Sequence, residues 1–66
     1  GKKIVIASET EMTGTVTVYD LLGQEVISER IANSTNHQMD VLSQRGYYIV
    51  TVKTNTGVKN QKLYIR

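Results

Sequence analysis

Cysteine and proline are both missing from this 66-residue sequence, tryptophan and phenylalanine do not occur, and there is one histidine. Without cysteine there is no disulfide framework, no thiolate nucleophile and no redox switch, although the compartment is left open by that absence. His37 has no second histidine or thiolate with which to share a zinc ion, so no metal site is expected and a surface histidine is the plain reading. No apolar run approaches the roughly 20 residues that a membrane-spanning helix requires, and no basic, apolar, small-residue leader opens the chain. Direct membrane insertion is therefore not expected. The chain opens on Gly1 and not on Met, and is expected to be a piece of a longer polypeptide.

A chain of this size holds one core and buries only about 60% of the surface its unfolded form exposes. Small domains usually add disulfides, a structural metal or association, and the first two are unavailable to this composition. Regular strand pairing, a neighbouring domain or a second copy must supply what they would have contributed.

The net charge of +2 is too small to argue for nucleic acid, but its distribution is uneven. Residues 1–40 hold all six acids against Lys2, Lys3 and Arg30, a balance of −3; residues 41–66 hold Arg45, Lys53, Lys59, Lys62 and Arg66 with no acid, a balance of +5. The plain reading is a solvated strand face that blunts a sheet edge, and the functional one is a docking surface for an acidic partner.

Several runs alternate with a period of two, the mark of half-buried strands. Val16 and Val18 face one side while Thr15, Thr17 and Tyr19 face the other. Tyr48, Val50 and Val52 share a face within Gly46 to Thr54, and Leu63 and Ile65 share one near the end, with Lys62, Tyr64 and Arg66 opposite. Lys3 to Ala7 and Glu25 to Ile31 complete the set, the facing of the latter left open by Val26 against Ile27 and Ile31. No stretch shows an equally clear helical period. Asp20-Leu21-Leu22-Gly23 predicts a hairpin turn in which Asp20 caps its own turn and Gly23 takes positive φ; Asn55-Thr56-Gly57 predicts another. Ala32 to Asn36 and Ser43 to Gly46 read as polar loops. The fold predicted is all-β: a small antiparallel, immunoglobulin-like β-sandwich of six to seven short strands in a hairpin-connected meander.

Catalysis finds no residues. Asp20 and Asp40 lack a paired base and sit beside turns, Gly14 and Gly23 are too isolated to cradle a phosphate, and Ser8, Ser28, Ser34 and Ser43 have no base in a recognisable motif. Asn33-Ser34-Thr35 meets the N-glycosylation pattern, which arises often by chance in loops. No cofactor is implied. Of the tyrosines, Tyr48 reads as core, whereas Tyr19, Tyr47 and Tyr64 lean to the second face. Beside Lys53, Lys59 or Lys62 such rings can stack on bases or sugars, but tyrosine is also an ordinary strand former whose hydroxyl stays wet.

Read in order, Val16-Thr17-Val18-Tyr19-Asp20-Leu21-Leu22-Gly23-Gln24-Glu25-Val26, then Gly46-Tyr47-Tyr48-Ile49-Val50-Thr51-Val52, then Lys62-Leu63-Tyr64-Ile65-Arg66 resemble the C-terminal sorting domain of type IX (Por) secretion cargo over nearly the whole chain. The resemblance implies an address label of the Bacteroidetes group. Its cargo crosses the inner membrane by a leader, folds in the periplasm and presents the label to the outer-membrane type IX translocon. A sortase-like peptidase then removes the label, and the cargo is released or joined to anionic lipopolysaccharide at the cell surface. By position, Gly46, Tyr48, Val50 and Val52 match the family's Gly-x-Tyr-x-Val-x-Val strand, Lys62, Leu63, Ile65 and Arg66 its terminal motif, and Asp20 and Gly23 its first hairpin turn; Tyr64 stands inside the terminal motif. In that family the basic and apolar ending is the natural carboxyl terminus.

Members usually carry a Tyr-Pro-Asn-Pro-like segment ahead of the first strands, and no proline is found here. The 1–66 domain is thus expected to lack its first strand or segment and with it the peptidase site, and to pair its exposed edge in a homodimer by strand exchange. A label read when folded can present Lys62, Tyr64 and Arg66, with a backbone edge, while Leu63 and Ile65 hold the strand. The competing reading is an immunoglobulin-like accessory module that binds glycan or packs on a catalytic neighbour. A nucleic-acid-binding barrel has little to support it.

Overall fold

The structure, a computed structural model, describes residues 2–41 and 45–65. Four strands follow in chain order: β1 (Lys2–Asp20), β2 (Glu25–Val41), β3 (Gly46–Thr54) and β4 (Gly57–Ile65). They form one antiparallel sheet in the order β2-β1-β3-β4. The all-β class is as the alternation predicts; the count of six to seven strands and the meander are not. β3 passes by β2 and docks on β1, so that Val16 lies opposite Val52 and Val18 opposite Val50.

Two long strands take the place of several short ones because their corners are bulged and not broken. Drawn straight, the 19 residues of β1 would measure about 60 Å at roughly 3.3 Å per residue, yet the longest dimension of the domain is 31 Å. β2 doubles back in the same way. His37 Nε2 lies 2.9 Å from Glu29 Oε1, eight residues earlier on the same strand, where straight geometry would set their backbones about 26 Å apart. The hairpin of β1 and β2 is therefore folded across its middle, with residues 2–7 and 36–41 as one leaf and residues 14–20 and 25–31 as the other. Register shifts between Ala7 and Met12, and again between Met12 and Gly14, mark the crease on β1.

On β2 the crease falls within Ala32 to Asn36, the segment read from sequence as a loop. It is continuous strand, kinked where Asn33 adopts a φ of 46°. Asparagine tolerates that left-handed backbone better than most residues. The corner is tied across to β1: the Thr13 hydroxyl donates to Asn33 Oδ1 at 3.0 Å and accepts from the Asn33 N–H at 3.3 Å. The polar composition of the segment thus serves a bend. Of the Ser43 to Gly46 loop, residues 43 and 44 lie outside the described residues, and Gly46 begins β3.

Folding the hairpin over closes the core. Val16, Val18 and Ile31 are fully buried, packed with Ile4, Met39 and Val41 from the opposite leaf and with Tyr48, Val50 and Ile65 from β3 and β4. Each such side chain contributes about 1.5–3 kcal/mol by leaving water. The facing left open by sequence is settled on β2, with Ile27 and Ile31 inward and Val26 exposed.

Both predicted turns are present. Asp20 Oδ1 accepts the N–H groups of Leu22 and Gln24, each at 2.9 Å, and Gly23 closes the turn at a φ of 85°. The second turn, after Thr54, is anchored to the crease by the Asn55 N–H donating to the Thr13 carbonyl at 3.1 Å. Asp40, read as a turn residue, stands in β2 opposite Lys3.

At Gly14 the two central strands approach so closely that an added Cβ would lie 1.8 Å from the Lys53 carbonyl oxygen. Gly14→Ala is expected to push β1 off β3 and remove about 1–3 kcal/mol of stability, a large share for a domain this small. Urea unfolding followed by circular dichroism measures it; an unchanged midpoint would contradict this register.

Candidate functional site

The residues matched to the family strand point inward. Tyr48 and Val50 are each 7% exposed and Val52 is packed against the core. Gly46 opens this strand at a φ of 150°, a conformation that side chains rarely permit. Across the ladder Tyr48 stands opposite Leu63, Val50 opposite Gln61 and Gly46 opposite Ile65. Ile65 is 3% exposed and Leu63 is partly buried. Gly46, Tyr48, Val50, Val52, Leu63 and Ile65 therefore fasten the β3–β4 hairpin to the core.

What they fasten in place is the other face of that hairpin. Alternation turns Tyr47, Ile49, Lys62 and Tyr64 outward, and the register joins Tyr47 with Tyr64, Ile49 with Lys62 and Tyr19 with Ile49. The rings of Tyr47 and Tyr64 lie 4.9 Å apart, tilted by 57°, and Lys62 Nζ sits 4.7 Å from the Tyr47 ring centroid. Such cross-strand and diagonal contacts order side chains that are still accessible. Tyr47 is 50% and Tyr64 48% exposed. Beyond this cluster runs a polar row in which the Thr51 hydroxyl donates to Asn60 Oδ1 at 2.8 Å and the Thr17 and Ser28 hydroxyls lie 3.1 Å apart. Lys53 and Arg30 flank that row in the next register line.

No acid occurs on β3 or β4, which hold Lys53, Lys59 and Lys62. The asymmetry read from sequence is thus gathered on one hairpin. Arg66, the last residue of the terminal motif, lies outside the described residues. Asp20 and Gly23 sit at the β1–β2 turn and serve its backbone. Tyr47 takes the second face expected of it from sequence; Ile49 was not singled out, although the alternation that placed Tyr48 and Val50 inside also placed it outside. His37, read as a surface residue, is half-buried against Glu29. Among the described residues no group of three His, Cys, Asp or Glu side chains can hold a metal ion, and no buried polar side-chain atom lacks a partner.

The β3–β4 hairpin thus holds its motif residues in the core of an all-β domain and shows an aromatic and cationic face to solvent. The chain belongs to the secretion system C-terminal sorting domain family, which matches residues 1–66. Domains of this family are the sorting signal of type IX secretion cargo and are recognised by the type IX secretion machinery. Cargo so labelled is exported across the outer membrane to the cell surface or secreted, and the family is not a catalytic one. A comparison with curated proteins gives no match.

The two faces are expected to separate on mutation. Ile65→Ala should cost about 2–5 kcal/mol of stability, whereas Lys62→Ala should cost less than about 1 kcal/mol. Chemical unfolding of both variants checks this; equal losses would mean that the outward cluster is structural.

Proposed function

We propose that the type IX machinery reads this domain in its folded state on the outward face of the β3–β4 hairpin, with Lys62 and Tyr64 as direct contacts and Tyr47 as their support. The observation that supports this reading most is the ordered Lys62, Tyr47 and Tyr64 cluster, half exposed on a hairpin without an acid. Aromatic side chains already held by neighbours lose little freedom on binding, and cations steer an acidic partner toward them. In the sequence Arg66 continues the spacing of Lys62 and Tyr64. Gly46, Tyr48, Val50, Val52, Leu63 and Ile65 act by holding that face in one shape, and Asp20 and Gly23 by closing the turn that starts the fold. The outer edge of β4, which has no partner strand among the described residues, offers backbone groups to the same receptor by strand addition.

The cargo folds in the periplasm before this encounter, and a sortase-like peptidase removes the label at the surface from a site on the amino-terminal side of the domain. Exchange of the leaf formed by residues 2–7 between two copies gives the homodimer, since the register shifts after Ala7 separate that segment from the rest of β1.

A fused passenger tests the proposal. Removing Lys62 to Arg66 should abolish surface delivery, and Lys62→Glu with Tyr64→Ala should lower it about tenfold or more, the equivalent of roughly 1.4 kcal/mol in receptor affinity, while the domain stays folded. Quantitative surface labelling of the passenger gives the readout; normal delivery by both variants would remove this face from the mechanism.

A further inference from the structure

The two halves of β1 are paired unequally. From Gly14 to Asp20 the strand is bonded on both sides, to β2 and to β3. From Lys2 to Ala7 its partner among the described residues is β2 alone. Because the hairpin is folded over, this second edge faces out across the inner side of β3 and β4. A groove of about 1020 Å³ opens there, bounded by Lys3–Glu9 on one side and Gly57–Gln61 on the other, with Val50, Val52 and Leu63 beneath. Its floor is the uncovered part of the core face. Lys59 and Gln61 stand opposite Val52 and Val50 and so share their face, yet both are exposed.

The edge itself is of the kind that other sheets hide. Val5 is 54% exposed and Ala7 lies beside it on the same side, with no proline in the run. Between Ile4 and Ala7 the run carries no charge, and an uncharged strand edge is a template for a further strand. By contrast, the β4 edge is guarded by Lys59 and Lys62, one on each face. Lys3 and Glu9, both exposed, line the two ends of this wall of the groove. A cation at one end and an anion at the other favour an occupant with the opposite charges at its ends. A second folded copy does not fit: pairing the same edges about a two-fold axis would put its β3 and β4 in the space that β3 and β4 of the first already fill.

We propose that this groove receives one extended segment of a partner protein as an added strand, antiparallel to Lys3–Glu9. Its alternate apolar side chains lie on Val50, Val52 and Leu63, its acidic residue faces Lys3, and its basic residue faces Glu9. The main-chain ladder supplies the affinity and the end charges the register. This site lies on the inner face and is independent of the outward cluster assigned to sorting.

The test titrates the isotope-labelled domain with a capped peptide, Lys-Val-Thr-Val-Thr-Val-Asp, and follows amide shifts and hydrogen exchange by NMR. Antiparallel pairing should slow exchange at alternate amides within Lys3–Glu9 and shift the Val52 and Leu63 methyls. Proline in place of the central valine should abolish binding, and exchanging the terminal charges should weaken it several-fold. No protection within Lys3–Glu9, equal binding of the proline peptide, or shifts confined to the outer edges of β2 and β4 would each overturn the proposal. So would concentration-dependent protection of the same amides without peptide, which would seat a second copy there. Export of a passenger by a domain that fails this test would leave the sorting assignment standing.

Discussion

The crease across the β1–β2 hairpin is the constraint on which the rest of the domain depends. A single four-stranded sheet has two faces and, among the described residues, no other element to cover either. Folding the longest hairpin across its middle turns one sheet into two leaves and lets Ile4, Met39 and Val41 cover Val16, Val18 and Val50. The bend is held by short-range chemistry at few positions: the left-handed backbone of Asn33, its reciprocal bonds with Thr13, and the Asn55 bond that brings the β3–β4 turn to the same point. Gly14 adjoins this corner and admits β3 at close range. The four residues bring all three contacts of the sheet together at one place, so the corner also sets the position of the hairpin that carries the outward cluster.

That arrangement explains why the family strand contains so many buried residues. A side chain buried at Tyr48 or Ile65 cannot touch a receptor, but it fixes which way Tyr47 and Tyr64 point, because neighbours in a strand alternate between faces. A slip of one residue between β3 and β4 would turn Tyr48 out and Tyr47 in, at the cost of the core as well as the display. Display of the outer face and stability are coupled through register. The alternation of the family strand is therefore intelligible as a device for orientation, with no requirement that its own residues meet the partner.

Much of this was legible in the sequence, and the reasons for the rest are physical. The period of two in Thr15 to Tyr19 and in Gly46 to Thr54 placed Val16, Val18, Tyr48 and Val50 inside, and Asp20 with Gly23 and Asn55 with Gly57 marked both turns. Local turn chemistry and alternation need only neighbouring residues, which a sequence displays. Ala32 to Asn36 misled because Asn, Ser and Thr serve a kinked strand as readily as a loop: the same side-chain to backbone bonds satisfy either. What decides between them is Thr13, twenty residues away. The order β2-β1-β3-β4 was equally hidden, since β2 and β3 are adjacent in sequence while the close approach at Gly14 belongs to β1 and β3. The outward cluster was largely visible, with Lys62 and Tyr64 identified and Tyr47 placed on the outer face, but Ile49 was passed over for its neighbours and the contact of Tyr47 with Lys62 was hidden.

The economy that makes the fold work also leaves it open. Two leaves made from one hairpin are not of equal width: the leaf of residues 2–7 and 36–41 is two strands wide, and the sheet it covers is four. Two strands' worth of inner face must remain partly bare, which is where Val52 and Leu63 are only partly buried and Lys59 and Gln61 are exposed. An all-β domain with bare edges is exposed to self-association, and the cations of β4 oppose it by repelling a second copy of the same strand. The same cations attract a partner of opposite charge. One distribution of lysines thus discourages pairing with itself and favours pairing with something acidic, so the asymmetry of charge along this chain and the openness of its sheet are two aspects of one design.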